Sequence, residues 1–255
     1  VFESIVLGIV QGITEFFPIS STAHLVVIPW FLNWGGDLNT LTFDVALHGG
    51  TLVSLFICFW DDLKGMLGEN RRLLFLIAVG TLPAVVGGLS LHDYIEGEFR
   101  SPMIIAIMLV VFGGVMYFSE RFRRERAIEG LSYLDAFLIG TAQAVALVPG
   151  VSRSGVTISA GLMRGMQRPE ALRFSFLLSI PAVAGATILE GGKLLKSPMQ
   201  YDLSLFAVGF AASLVSGVIA IKFLLKYLRR HTMNVFVGYR LVLAGVITGW
   251  LWLGG

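Results

Sequence analysis

The chain has 255 residues, 55% of them hydrophobic and only 14% charged, with a mean hydropathy of +0.79. A soluble domain carries about 25% charged residues, so this composition excludes an ordinary soluble fold and predicts a polytopic membrane protein. The net charge of +2 is too small to predict a nucleic-acid partner, and a single cysteine, Cys58, excludes an intrachain disulfide and a cysteine metal centre.

The opening stretch, VFESIVLGIVQGITEF, has no basic n-region and carries Glu3, Gln11 and Glu15, so it does not read as a cleavable signal. A first residue other than Met is what a trimmed or processed chain would show. Crossing a bilayer takes about 20 apolar residues. Residues 3–30 are apolar but interrupted by FFPISSTAH, leaving runs too short for two crossings. Segments 43–60, 73–91 and 102–119 are long enough. Residues 133–164 are interrupted in turn by PGVSRSG, and segments 172–190, 204–225 and 235–253 then complete the set. Each interrupted region fits a re-entrant pair that enters and leaves on one face, with irregular backbone tolerated only where protein or a water-filled cavity surrounds it. The expected fold is an all-α integral membrane protein, one domain over 1–255, with six transmembrane helices and two re-entrant helix–loop–helix pairs.

Charge supports this count. Lys64, Arg71 and Arg72, then Arg121, Arg123, Arg124 and Arg126, then Arg164, Arg168 and Arg173, then Lys222, Lys226, Arg229 and Arg230 mark four segments as cytoplasmic. The segment 92–101 carries Asp93, Glu96 and Glu98 against Arg100, and 191–203 holds only two basic residues, Lys193 and Lys196. Both are expected outside, as are both termini.

The chain also repeats itself. LGIVQGITEFFPISS (7–21) aligns with FLIGTAQAVALVPGVS (137–152), setting Gln11 over Gln143, Pro18 over Pro149 and Ser21 over Ser152. FDVALHGGTLVSL (43–55) aligns with FSFLLSIPAVAGA (174–186). Residues 1–127 and 128–255 therefore read as an inverted repeat, because three spans per copy reverse the orientation. Inverted repeats put a site near the midplane, where their broken helices meet.

Chemistry concentrates in the two interruptions. In the first, Gln11 and Glu15 share a helix face. Glu15 is a hard oxygen ligand or base, or a carboxylate bonded inside the bundle. His24 reads as a general acid or base near neutral pH. Ser20 and Ser21 are candidate nucleophiles or N-caps, with Thr22 beside them. In the second, Arg153 suits a phosphate clamp or an ion pair with Glu15. Ser152, Ser154 and Thr157 are donors for phosphate oxygens or caps. His48 reads as a buried hydrogen-bonded histidine. Arg240 and Glu190, near span ends, are expected to snorkel or pair, and His92 and His231 to be solvated.

At these residues the chain resembles the undecaprenyl-diphosphatases of the bacitracin-resistance type. The family's first motif, a Glu or Gln three residues before a Glu and then Pro–x–Ser–Ser–Thr–x–His, stands here as Gln11, Glu15 and PISSTAH (18–24). Its second stands as PGVSRSGVT (149–157). The resemblance covers essentially the whole chain. It implies a multi-pass enzyme of the bacterial cytoplasmic membrane that removes the terminal phosphate of undecaprenyl diphosphate, giving the carrier lipid used in peptidoglycan synthesis. It implies a site facing the periplasm or cell exterior, a polyprenyl diphosphate and membrane lipids as partners, a homodimer as an option, and a divalent cation, Mg²⁺ or Ca²⁺. Glu15 with Gln11 would position the metal or a water. Ser21 and His24 would be nucleophile and base, or orient a water. Ser152, Arg153 and Thr157 would bind diphosphate. Position 11 is Gln, so one carboxylate is available and the lipid's oxygens and water would complete a Mg²⁺ shell. The competing class is a lipid-phosphate transporter, which shares inverted repeats and broken helices.

Overall fold

The computed structural model describes residues 1–90, 101–196 and 202–253. They form eleven α-helices: α1 Phe2–Thr14, α2 Ser21–Leu32, α3 Leu41–Cys58, α4 Trp60–Leu67, α5 Arg71–Ser90, α6 Pro102–Ser119, α7 Tyr133–Val145, α8 Arg153–Met163, α9 Arg168–Lys196, α10 Leu203–Tyr227 and α11 Asn234–Trp252. No strand occurs among the described residues, only an isolated bridge between Arg126 and Met166.

Five helices, α5, α6, α9, α10 and α11, are long and apolar enough to cross a membrane. They correspond to five of the six expected spans. The sixth, 43–60, is α3 continued by α4 across a 71° bend. At the bend Phe59 leaves helical geometry, and Trp60 is followed by the charged pair Asp61 and Asp62, which starts a new, more polar helix. The outward faces are apolar: Val86, Leu89, Ile219 and Val242 are each more than 60% exposed. Such faces are unfavourable in water and suited to lipid. The chain is a multi-pass membrane protein.

Between helices in lipid the hydrophobic effect is weak, so close contact of small residues does the packing. Gly8 and Gly12 on α1 lie against Gly209, Ser213 and Gly217 on α10, and a methyl group at Gly12 would stand 2.5 Å from the Ser213 carbonyl. Gly140 on α7 meets Gly80 on α5 backbone to backbone. Each short helix is thereby pressed onto a long one.

The two interrupted regions are hairpins. Asp135, in the first turn of α7, bonds Arg164, just past the end of α8, at 2.6 Å. That contact holds the start of α7 beside the end of α8. Leu7, midway along α1, and Leu38, beyond α2, both pack in the cluster around Phe206, near the start of α10. Charged contacts gather the four basic segments at one end of the bundle. Arg173 pairs with Asp62, Arg168 and Arg124 pair with Glu120, Arg126 and Arg164 share Asp135, and the Met233 N–H donates to Glu120 at 2.8 Å. The expected outward loop at 92–101 lies almost wholly outside the described residues, as does His92; of Glu190 only the helical backbone is described.

Candidate active site

The tips of the two hairpins meet. α1 ends at Thr14, and the chain turns through Pro18 to Ser20, whose φ of 72° is a rare conformation for a residue with a Cβ. Ser152 at the other tip has φ 71°. Each caps the helix that follows: Ser20 Oγ accepts from the Ala23 N–H, and Ser152 Oγ accepts from the Gly155 N–H at 3.2 Å. Backbone strain of this kind costs of order 1–3 kcal/mol per residue and gathers at functional sites. Gly150 is glycine for two reasons. Its φ is +93°, and a Cβ would stand 2.7 Å from the Ile105 carbonyl.

The tips are tied across the chain. The Gly150 N–H donates to Ser20 Oγ at 3.2 Å, and Ser154 Oγ donates to the Phe17 carbonyl at 3.2 Å. At the centre, Arg153 Nη2 donates to Glu15 Oε1 at 2.8 Å. The other oxygen, Oε2, accepts from Ser21 Oγ at 2.6 Å and from Gln11 Nε2 at 3.1 Å. His48 Nε2 lies 3.4 Å from the same oxygen, with the ring fixed by its Nδ1–H donating to the Asp44 carbonyl at 2.7 Å. Glu15, Ser21, His48 and Arg153 border a cavity of about 160 Å³, which Thr14, Ser20, Thr22 and Ser152 also line, with Ala146, Leu147, Ala182, Val183 and Ala186 as an apolar wall. Two atoms beside the ion pair are buried with no partner among the described residues: Arg153 Nη1, a donor, and Gln11 Oε1, an acceptor. Removing charge pairs from water costs several kcal/mol per ion before their attraction offsets it, so a buried pair is weak grounds for stability.

The sequence-predicted residues divide. Gln11, Glu15, Ser21 and Arg153 form one hydrogen-bonded group. Ser20, Thr22 and Ser152 line the cavity with Glu15, Ser21 and Arg153. Ser154 sits behind Ser152, 3.3 Å between hydroxyls. Thr157 is fully turned inward, donating to the Arg153 carbonyl at 2.7 Å and lying 2.6 Å from Ser175 Oγ. His24 is on the far side of the tip. Its Nδ1–H donates to the Ser20 carbonyl and its Nε2 accepts from the Tyr239 hydroxyl, both at 2.7 Å. Neither nitrogen faces Ser21 or Glu15. His231 is exposed and stacked on Tyr227.

Two residues were read differently from sequence. His48, assigned a structural place, lines the cavity. Arg240, expected to snorkel or pair at a span end, does neither. It is wholly buried and bonds only backbone carbonyls. The signal for both was the same: an ionisable side chain inside an apolar span is functional by default.

Helices that cross a membrane, two hairpins that meet tip to tip, and a carboxylate–guanidinium pair with a serine beside a small polar cavity define a membrane protein with a candidate site buried between its two hairpins. The chain belongs to the bacitracin resistance protein BacA family, whose model matches residues 4–246. It is 49% identical to the undecaprenyl-diphosphatase of Thermodesulfovibrio yellowstonii, over 96% of this chain and 95% of that one. It is 43% identical to those of Moorella thermoacetica, over 99% and 98%, and Desulforudis audaxviator, over 95% and 94%.

Proposed function

We propose that this chain is an undecaprenyl-diphosphatase, hydrolysing the lipid diphosphate to the monophosphate and phosphate, and that the cavity at Glu15 and Arg153 holds the diphosphate. One observation carries the placement: Arg153 keeps an unused buried N–H beside the cavity while its other arm is bound to a carboxylate that also receives a serine proton donor. The cavity, about 160 Å³, is on the scale of a phosphoryl headgroup. The tail then runs along the apolar wall of Leu147, Val183 and Ala186 toward lipid.

The residues act as follows. The N-termini of α2 and α8 present backbone N–H groups and the positive ends of two helix dipoles to the anion. Arg153 Nη1 binds a terminal phosphoryl oxygen and stabilises its charge as the transition state forms. Ser21 Oγ attacks the terminal phosphorus, its proton passes to Glu15 and on to the departing bridging oxygen as the bond to that oxygen breaks, and the prenyl monophosphate leaves with Glu15 again ionised. Water then attacks the phosphoserine, its proton moves to the Ser21 oxygen by way of Glu15, and phosphate leaves. Direct attack by a water held on Glu15 gives the same products in one step; a phospho-Ser21 trapped in single turnover separates the two. His24 buttresses the tip through Ser20 and Tyr239.

A divalent cation fits here through oxygen ligands. Among the described residues no group of three His, Cys, Asp or Glu side chains could hold one, yet Gln11 Oε1 is a buried oxygen without a partner beside Glu15. Gln11 and Glu15 would hold Mg²⁺ or Ca²⁺ jointly with diphosphate oxygens and water. When bound, it supplies positive charge against the phosphoryl oxygens.

We further assign six spans, with α3 and α4 as one, and two re-entrant pairs, α1–α2 and α7–α8, in inverted repeats 1–127 and 128–255. The equal strained caps support this and set Ser20, not Ser21, over Ser152, at the same offset as Gln11 over Gln143; reciprocal packing supports it too, with α1 on α10 in the other half and α7 on α5. The basic end faces the cytoplasm of a bacterial cell, which turns the site to the outer face. The apolar flanks take lipid or a second copy. Purified protein in detergent is expected to release phosphate from a prenyl diphosphate, with Glu15→Ala and Arg153→Ala reduced by about 10²–10³-fold or more. Turnover unchanged in both variants would remove the assignment, and lipid movement in sealed vesicles without phosphate release would make the protein a transporter.

A further inference from the structure

Arg240 lies in α11, far in sequence from both tips, with no side-chain surface exposed. No carboxylate pairs with it among the described residues. Its Nε–H donates to the Leu109 carbonyl at 3.1 Å, and Nη2 reaches the Met108 carbonyl at 3.2 Å. The remaining contacts are the informative ones. Nη1 donates to the Pro18 carbonyl at 3.4 Å, in the first tip. Nη2 donates to the Gly150 and Val151 carbonyls at 2.7 and 3.1 Å, in the second. One guanidinium thus touches α6 and both catalytic turns.

The chemistry explains the residue type. Where a helix is broken inside a membrane, carbonyls lose their helical donors and have no water to replace them. Pro18, Gly150 and Val151 lie in such breaks. A guanidinium offers five N–H donors in a rigid planar fork and no acceptor, so it can serve several carbonyls converging from different elements. An ammonium, with three donors on a point, cannot span them. The neighbouring Tyr239 extends the grip, since its hydroxyl donates to His24 in α2 and its ring stacks on the imidazole at 5.7 Å.

We infer that Arg240 is a positioning residue for the phosphatase reaction: it sets the distance between the two tips, and through them the register of Glu15 and Ser21 against Arg153. The inference rests on the function proposed above. Glu15 is three residues before Pro18, and Arg153 is two after Val151, so each catalytic group is a short rigid step from a carbonyl that Arg240 holds. A displacement of about 1 Å in reacting groups can reduce rate a hundredfold. Binding of the lipid tail, which lies elsewhere, is left alone. The defect therefore falls on kcat.

The test uses full-length protein in detergent with a prenyl diphosphate as substrate. Arg240→Lys keeps the charge and loses the fork; Arg240→Gln keeps some hydrogen bonding and loses the charge. Both are expected to lower kcat by about 10²-fold, with KM within threefold of the parent, and to fold with a lowered melting temperature, since carbonyls at both tips lose donors. A double-mutant cycle with Arg153→Lys gives the readout that a merely structural role would not move. If Arg240 works only by placing Arg153 against Glu15, the double variant falls within threefold of the slower single one. Parental kcat in either Arg240 variant, a loss confined to KM, or multiplying losses in the double variant would overturn the inference. Failure of both single variants to fold would mark Arg240 as a folding residue and overturn it too. An unaltered protein that releases no phosphate would instead overturn the enzymatic reading, and this one with it.

Discussion

Replacing Glu15 by Gln separates what the buried ion pair does for the fold from what it does for the reaction. Glu15 and Arg153 side chains are 6% and 16% exposed, and their oxygen and nitrogen are 2.8 Å apart. Removing one partner of such a pair strands the other charge, at a cost of about 3–5 kcal/mol. A domain has only about 5–15 kcal/mol in total, so Glu15→Gln should lower the melting temperature by roughly 6–20 °C for a chain of this size. Substituting both partners is different. In Glu15→Gln with Arg153→Gln, neither charge is buried and the two amides can bond each other, and exchanging a whole buried pair for neutral groups is often neutral for stability. The double variant should therefore melt within a few degrees of the parent. Phosphate release should stay down by about 10³-fold or more in both variants, because the base for Ser21 is missing in each. Melting in detergent and phosphate release over time give the two readouts. A double variant as unstable as the single one would make the pair a structural element; one that recovers activity would refute the proposed chemistry.

Ser21→Ala should cut turnover by about 10²–10⁴-fold while leaving lipid binding intact, measured by substrate retention on the immobilised protein. Tyr239→Phe removes one hydrogen bond to His24, worth about 1 kcal/mol, and should reduce phosphate release less than about tenfold, since His24 does not face Ser21; a loss as large as that of Ser21→Ala would restore His24 as the base. Gly12→Leu should destabilise α1 against α10, because even a Cβ there stands 2.5 Å from the Ser213 carbonyl; the expected outcome is loss of several degrees in melting or of folded yield. Chelation should abolish phosphate release, Mg²⁺ or Ca²⁺ should restore it, and Gln11→Leu should weaken the titrated affinity for the ion by about 10-fold or more.

The spans and the two breaks were legible because each is a local property. An apolar run of the right length spans, and a proline–serine or proline–glycine pair within it breaks. What lay beyond reach depends on several elements at once. The bend at Phe59 was hidden because 43–60 satisfies the length rule, while the turn to Trp60 answers to the charges that follow. His24 stands beside serines in sequence, yet in the first turn of α2 its Nδ1 finds the carbonyl four residues back, at Ser20, and the ring is thereby held away from Ser21. His48 showed only a lone histidine before two glycines. The glycines matter: a Cβ at Gly50 would crowd the Phe210 carbonyl of α10, so α3 seats closely there while His48 lines the cavity. That orientation needs the packed helix pair, which no single stretch of sequence encodes.

The two buried arginines show how environment assigns a role to one residue type. Both sit in apolar surroundings at the same junction, and both would be prohibitively costly there unpaired. Arg240 is offset by carbonyls alone, and none of its nitrogens is left without a partner. It has nothing to offer a ligand, and its rigidity follows from that saturation. Arg153 is offset by one carboxylate and keeps Nη1 unsatisfied, an expense that stability alone would not retain, because rotating or shortening the side chain would remove it. An acceptor in the cavity would satisfy that donor. In the function proposed, a phosphoryl oxygen would supply both the hydrogen bond and the opposing charge. It would turn a destabilised free state into a tightly held bound one, and the terminal phosphorus would then stand between the guanidinium that polarises it and the Ser21–Glu15 pair that attacks it.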